Sequence, residues 1–240
     1  MPIRTLVIIP AFNEEESLPA VLATLRTGAP EFDVLVVDDG STDRTSEVAT
    51  AAGVQLARLP FNLGIGGALR TGFRFAVRNG YDRAIQFDAD GQHDVAELDT
   101  LLAEVGRGAD LVVGTRFAST DPTYRPGLIR GGAMNVLRLA MSILSGRHFS
   151  DTSSGFRAFS RPMLVYFAHT YPVEYMDSVE ALLLACYAGF TVVERPVVMH
   201  ERSGGSPSSR NLKLVYHYLR LLVVLVAMAS LRQRRGARAV

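Results

Sequence analysis

The feature that most constrains this chain is a rhythm. A short apolar run stops at a polar cluster, a stretch with helical character follows, and the sequence of events repeats. Thr5 to Ile9 is apolar and β-branched and is broken by Pro10-Ala11-Phe12-Asn13. Glu14 to Arg26 then reads as a helix with acids in its first turn, where the helix dipole favours them. Val34 to Val37 is a second run, ending in Asp38-Asp39-Gly40-Ser41 before a helix over Thr42 to Ala52. Val54 to Leu59, Ala84 to Phe87 and Leu111 to Gly114 are further strands, and helices over Gly66 to Asn79 and Val95 to Arg107 separate them. Short buried strands alternating with helices predict one α/β domain with a mostly parallel sheet and helices on both faces. In such sheets ligands bind beyond the carboxyl ends of the strands. Polar clusters stand at those ends here: Pro10 to Glu14, Asp38 to Asp43, Asp88 to Gln92 and Gly114 to Arg116.

Later segments are less regular. Ser119 to Arg125 reads as a loop, Gly132 to Ser145 as an apolar helix, and Asp151 to Phe159 as a polar, glycine-containing stretch. A helix over Val179 to Tyr187 ends at Gly189, and Thr191 to Val198 is a late strand whose Pro196 suits an edge or strand end. Ser203 to Arg210 reads as a loop before a C-terminal helix. The expected organisation is one α/β domain over 1–210 and an amphipathic or membrane-interfacial helix with a basic tail over 211–240.

Charge and composition exclude several classes. The net charge is +1 over 240 residues, which gives no electrostatic case for nucleic-acid binding. The 48% hydrophobic content excludes a disordered chain. One cysteine, Cys186, excludes a disulfide framework; in an apolar context it reads as buried and inert. The charge is uneven, about −6 up to residue 200 and +7 after it, so the two ends suit different partners. Leu221 to Ala229 is uninterrupted apolar sequence, too short for a clean membrane span, and Arg232-Gln233-Arg234-Arg235 flanks it. An apolar helix with a basic flank suits a membrane surface, against a core or oligomer-contact helix.

Several clusters can carry chemistry. Asp88-Ala89-Asp90 lies at a strand end, where alternation would put both carboxylates on one side, facing one cation. With Gln92 and phosphate oxygens they would make a site for Mg²⁺ or Mn²⁺; a solvated turn is the alternative. Asp39 can accept from a ribose or a base, with Ser41 or Asp43 capping the next helix. Asn62-Leu63-Gly64-Ile65-Gly66-Gly67 is not a dinucleotide fingerprint, because it does not occupy the first strand-to-helix turn; it reads as close approach to a ligand or a permissive helix entry. Arg116 and Arg130 are candidate phosphate ligands.

In order along the chain, Pro10-Ala11-Phe12-Asn13-Glu14-Glu15, Val37 to Asp43, Asn62-x-Gly64-x-Gly66 and Asp88-Ala89-Asp90-Gly91-Gln92-His93 resemble glycosyltransferase family 2. Gly114-Thr115-Arg116-Phe117, Asp151 to Arg157, and Glu194-x-Pro196 ahead of Arg202 resemble its polyprenol-phosphate branch, of the dolichol-phosphate-mannose-synthase type. The resemblance implies a GT-A fold, a nucleotide-sugar donor carrying UDP or GDP, a divalent metal and a polyprenyl phosphate acceptor. It implies that Pro10, Phe12, Glu14, Asp39, Asp88 and Ala89 line the nucleotide site and that Asp88, Asp90 and Gln92 hold the metal. Arg116 and Arg130 would meet the acceptor phosphate, and Arg202 would close over the donor. The lysine common in the Gly-x-Ser-Lys stretch after that arginine is absent; Arg202 is followed by Ser203-Gly204-Gly205-Ser206-Pro207. A sugar-hydroxyl acceptor would need a base, and Asp151 is the candidate. Transfer to a glycan and a non-catalytic nucleotide-sugar-binding scaffold are the competing readings. A cytoplasmic, peripheral place at the inner membrane face is expected, and both a monomer and a homo-oligomer fit the sequence.

Overall fold

The computed structural model describes residues 2–115, 139–173 and 177–200. Among these residues seven strands form one sheet in the order β3-β2-β1-β4-β6-β5-β7. They are β1 Thr5–Ala11, β2 Asp33–Asp38, β3 Gln55–Arg58, β4 Arg83–Gln86, β5 Leu111–Thr115, β6 Arg157–Ser160 and β7 Val192–Pro196. β6 runs antiparallel to both β4 and β5; every other pairing is parallel. The helices are α1 Leu18–Gly28, α2 Thr45–Ala51, α3 Ile65–Arg78, α4 Leu98–Gly106, α5 (described over 139–145), α6 Arg161–Thr170 and α7 Asp177–Tyr187.

Strand alternation sorts the core into two layers. Leu6, Ile8, Leu35 and Val37 face α3, α6 and α7, packing on Phe73, Phe167 and Leu182. Val7, Ile9 and Val36 face α1 and α4, packing on Leu22, Leu25 and Leu101. α3 lies close to the sheet because it carries Gly72 there: a Cβ at that position would stand 2.4 Å from Ile8 Cγ2. α3 and α6 also cap each other. Arg70 and Arg74 donate to the carbonyls of His169 and Ala168 at the end of α6, while Arg161 donates to Val77 and Tyr81 at the end of α3. Cations there satisfy carbonyls that a helix end leaves without partners.

Several expectations need correcting. Pro10 does not break the first strand, which continues to Ala11 and pairs Pro10 with Val37. The Ile8 carbonyl accepts from Phe87 N–H and the Ala11 carbonyl from Asp39 N–H, so by alternation the missing Pro10 N–H faces the β4 side, beyond that strand's end. α1 starts at Leu18 rather than Glu14, because the amides of Glu14 and Glu15 are bonded to Thr45 and Asp43 across the loop. α2 starts at Thr45 rather than Thr42. The helix expected over Val95 to Arg107 opens with a 3₁₀ turn, Val95–Glu97, capped by Asp94, whose carboxylate accepts from Ala96 N–H. The end of the polar stretch Asp151 to Phe159 forms β6, and α6 follows it, with the Ser160 hydroxyl accepting from Met163 N–H at the helix start. The expected Ser119 to Arg125 loop, the first half of the Gly132 to Ser145 helix and everything after His200 lie outside the described residues.

Candidate active site

β1, β2 and β3 step outward in one direction, and β4 then returns to the other side of β1. This is the topological switch point, where the loops on either side diverge and leave a crevice. The loops after β1, β2 and β4 converge on it.

The first two loops are bonded to each other side chain to backbone. Asn13, in the left-handed region at φ 55°, donates its N–H to the Ser41 hydroxyl at 3.0 Å, and its Oδ1 accepts from Thr42 N–H at 2.9 Å. Glu14 N–H donates to Thr45 Oγ1 at 2.9 Å and Glu15 N–H to Asp43 at 3.1 Å. Asp43 also accepts from the Thr45 amide and hydroxyl. Burial works to raise the Asp43 pKa, but these bonds outweigh it and hold the carboxyl below its ordinary range. Asp43 therefore caps the turn into α2, while the Ser41 hydroxyl serves Asn13.

The paired aspartates have different positions. Asp38 is fully buried and structural: its carboxylate accepts from Ser41 N–H and from the Ser46 hydroxyl. Asp39, also buried, accepts from Leu63 N–H at 2.8 Å and so ties the β3–α3 loop to the site. Burial raises its pKa, the Leu63 and Gly64 amides oppose the rise, and the Asp38 charge adds to it. The glycines after Asn62 approach the protein's own chain: a Cβ on Gly66 would stand 2.1 Å from the Pro172 carbonyl, and one on Gly67 2.4 Å from Leu63 Cβ.

Pro10 lies in β1 and Phe12 is exposed at the loop tip. The Glu14 carboxylate accepts from the Ser17 hydroxyl at 2.6 Å. Asp88, Ala89 and Asp90 lie past the end of β4, so the strand alternation expected to set both carboxylates on one side does not extend to them. Asp88 Oδ1 accepts from Gln86 Nε2 at 3.1 Å, and Asp90 Oδ1 accepts from Gln92 N–H at 3.0 Å. Gly155 backs this turn; a Cβ there would lie 2.7 Å from Asp88 Oδ2. Two carboxylates and one amide oxygen in a single turn are hard donors that could hold Mg²⁺ or Mn²⁺. Among the described residues no three His, Cys, Asp or Glu side chains gather as a metal cage.

Asp151 is buried, with Oδ1 accepting from the Ser153 amide and hydroxyl at 3.1 Å. Glu194, on β7, holds that turn by accepting from the amides of Ser150 and Asp151. Arg116, Arg130 and Arg202 lie outside the described residues. Cys186 packs against the core, and burial pushes its thiol pKa up, with a smaller opposing effect from Arg147. That is the behaviour of an inert thiol.

A family model for glycosyl transferase family 2 matches residues 6–167. The chain belongs to glycosyltransferase family 2. It is similar to a polyprenol monophosphomannose synthase of Mycolicibacterium smegmatis, 33% identical over 84% of this chain and 79% of that relative. It is also similar to an undecaprenyl-phosphate mannosyltransferase of Micrococcus luteus, 35% identical over 84% of this chain and 86% of that one. Among solved structures, glucosyl-3-phosphoglycerate synthase of Mycobacterium tuberculosis, solved with Mn²⁺, uridine diphosphate and phosphoglyceric acid, superposes with a TM-score of 0.72. That match is 20% identical and covers 95% of this chain and 78% of the other, so it establishes the fold. The glycosyltransferase therefore has a GT-A fold, and its motif loops lie at the crevice of that fold.

Three residues with no role assigned from the sequence are now visible. Gln86 and His93 hydrogen-bond to Asp88 directly, and Gly155 leaves no room for a side chain beside it. The sequence signal was available for His93, which ends the acidic motif. Gln86 sits inside an apolar strand and Gly155 is distant in sequence, so neither could be tied to Asp88 without the fold.

Proposed function

We propose that this glycosyltransferase moves a hexose from a nucleotide-sugar to a polyprenyl phosphate, with a divalent cation and inversion at the anomeric carbon. The observation that carries the reading is the similarity, over 84% of the chain, to two proteins named for polyprenol- or undecaprenyl-phosphate mannosyl chemistry. The donor nucleoside would lie along Pro10, Phe12, Glu14 and Asp39, with Ala89 beneath it. Asp88, Asp90 and Gln92 would hold the cation, and solved relatives of the fold carry Mn²⁺ or Mg²⁺ with uridine diphosphate.

In this scheme a phosphate oxygen of the acceptor attacks the anomeric carbon from the face opposite the leaving group. The new oxygen–carbon bond forms as the bond to the nucleoside diphosphate breaks, and the diphosphate departs with the electron pair. A cation when bound supplies neutralisation of the charge on that diphosphate. A lipid phosphate is already ionised near neutral pH, so the attack needs no general base. Asp151, committed to Ser153 in the described geometry, is then a shaping residue rather than a base. Arg116 and Arg130 would orient the acceptor, and Arg202 would close on the donor.

The acceptor's tail needs apolar surface. Leu139 and Ile143, one turn apart on α5, are 63% and 71% exposed. No helix among the described residues is long and apolar enough to cross a membrane. We assign residues 1–210 to the catalytic domain and 211–240 to an interfacial helix and basic tail at the inner membrane face.

The test is nucleoside diphosphate release from a panel of UDP- and GDP-sugars, with Mn²⁺ or Mg²⁺, with and without undecaprenyl or dolichyl phosphate. Release that needs both the lipid phosphate and the cation is the expected result. Release supported only by a glycan acceptor would overturn it and return Asp151 to the role of base.

A further inference from the structure

We infer that His93 is the positioning residue that fixes the Asp88 carboxylate for the cation, an inference that rests on the metal assignment made above. The Asp88 N–H donates to His93 Nδ1 at 3.0 Å. An acceptor at Nδ1 leaves the ring proton on Nε2. Nε2 in turn faces Asp88 Oδ2 at 3.5 Å. One imidazole therefore touches both the backbone and the side chain of the same aspartate. Gln86 Nε2 meets the other carboxylate oxygen, Oδ1, at 3.1 Å. Gln86 thus donates to one oxygen of Asp88, while the His93 ring lies beside the other.

The ring itself cannot turn easily. Its side chain is 3% exposed. It stacks on Phe156 at 4.4 Å between centroids and 11° between planes, and Phe87 meets it edge to face at 5.4 Å. Phe156 comes from the segment that brings Gly155 against Asp88, so the same turn that excludes a side chain there also clamps the imidazole. His93 forms a β-bridge with Met199 as well, and His200 N–H donates to the Gln92 carbonyl at 2.8 Å. The acidic turn is therefore joined through His93 and Gln92 to the end of the segment that leads toward Arg202.

A group that orients a metal-binding carboxylate changes affinity for the ion without touching it, typically by 10- to 100-fold. His93→Phe keeps an aromatic ring between Phe156 and Phe87 and removes both nitrogen contacts to Asp88. Mn²⁺ affinity is read by electron paramagnetic resonance of the free ion, with UDP or GDP present, whichever binds the wild-type chain more tightly. We expect H93F to bind Mn²⁺ about tenfold or more weakly than wild type. His93→Gln, which can restore an N–H toward Oδ2, should lie between the two. Wild-type affinity in folded H93F overturns the inference. Should H93F fail to fold, His93→Asn carries the test: it keeps an acceptor for the Asp88 amide but is too short to reach Oδ2. Weakening of about tenfold supports the role, and wild-type affinity overturns it. Asp90→Ala separates the two levels. If D90A also binds Mn²⁺ normally, the metal assignment fails; if D90A loses the ion and H93F does not, only the role of His93 fails.

Discussion

The loops after β1 and β2 and the turn after β4 meet at one crevice but are built differently. The first two are bonded to each other by several side-chain-to-backbone hydrogen bonds, running both ways through Asn13, Ser41, Thr42, Asp43 and Thr45. The acidic turn depends also on ring packing and a close approach: Gln86 and His93 meet Asp88, Gly155 approaches it, and Phe156 and Phe87 pack on His93. The pair of loops proposed to hold the donor is thus cross-linked so that loss of one bond leaves others in place. The cation role proposed for the acidic turn rests on two carboxylates, and among the described residues no cluster of three His, Cys, Asp or Glu side chains stands there to share it. Substitutions should therefore give graded losses on one side and near-complete losses on the other.

The largest effect belongs to the acidic turn. Asp90→Ala should lower kcat for nucleoside diphosphate release by about 10³-fold, the scale expected when a group that stabilises leaving-group charge is lost. The fold should survive, as read by circular dichroism. A modest loss that extra Mn²⁺ fully restores would place Asp90 among the dispensable contacts and erase the contrast.

Gly66→Ala comes next and acts through packing. A Cβ there would stand 2.1 Å from a backbone carbonyl, which cannot swing aside as a side chain tip can. The cost should be about 3 kcal/mol, seen as a fall in Tm of roughly 10 °C. An unchanged Tm would show that α3 and the Pro172 segment are not held together as described.

Asp39→Asn tests the donor cradle through pH. Burial and the neighbouring Asp38 raise the Asp39 pKa against the opposing Leu63 and Gly64 amides. Donor binding that needs the carboxylate should weaken, as pH falls, above the range in which an ordinary aspartate protonates. A raised folded-state pKa means that the folded chain takes up this proton more readily than the unfolded one. Its effect on stability therefore favours folding at low pH and is lost as pH rises through the folded value. The acid limb is thus a loss of binding rather than of structure. D39N should raise donor KM about 30-fold, on the order of 2 kcal/mol as for a charged hydrogen bond, and abolish that limb.

Asn13→Ala should be the mildest. It removes the acceptor for Thr42 N–H and puts alanine at a positive φ, together about 1.5 kcal/mol and a Tm lower by roughly 5 °C. Donor KM should rise only a few-fold because the bonds through Thr45 and Asp43 remain. A loss as large as that of D90A would show the cradle to be as brittle as the acidic turn.

The parts of this fold that follow local rules were legible in the sequence. The apolar runs of β1, β2, β4 and β5 and the polar clusters beyond them pointed to the crevice, and Asp39, Asp88 and Asp90 were placed at it for that reason. What failed was set by distant partners. Pro10 looked like a strand end because its unneeded N–H depends on where β4 stops. Arg157 obscured β6, since an arginine opening a four-residue strand reads as solvent-facing, yet it is fully buried and donates to the Ser154 carbonyl. The glycines of Gly64-Ile65-Gly66-Gly67 left two readings open, approach to a ligand or a permissive helix entry; Gly64 caps α3 at φ 82°, and the neighbour that requires Gly66, the Pro172 segment, is far along the chain. Asp38 and Asp39 could be told apart only when Ser46 and Leu63 came into place beside them.

The most direct measurement of the central claim is the identity of the product. The protein would be incubated with the active nucleotide-sugar, a divalent cation and undecaprenyl phosphate, and the lipid fraction analysed by mass spectrometry and by NMR of the anomeric centre. The account predicts a lipid phosphate carrying one added hexose with inverted anomeric configuration, absent when the cation is chelated. Unmodified lipid in a reaction that consumes the donor, or a product of retained configuration, would contradict it.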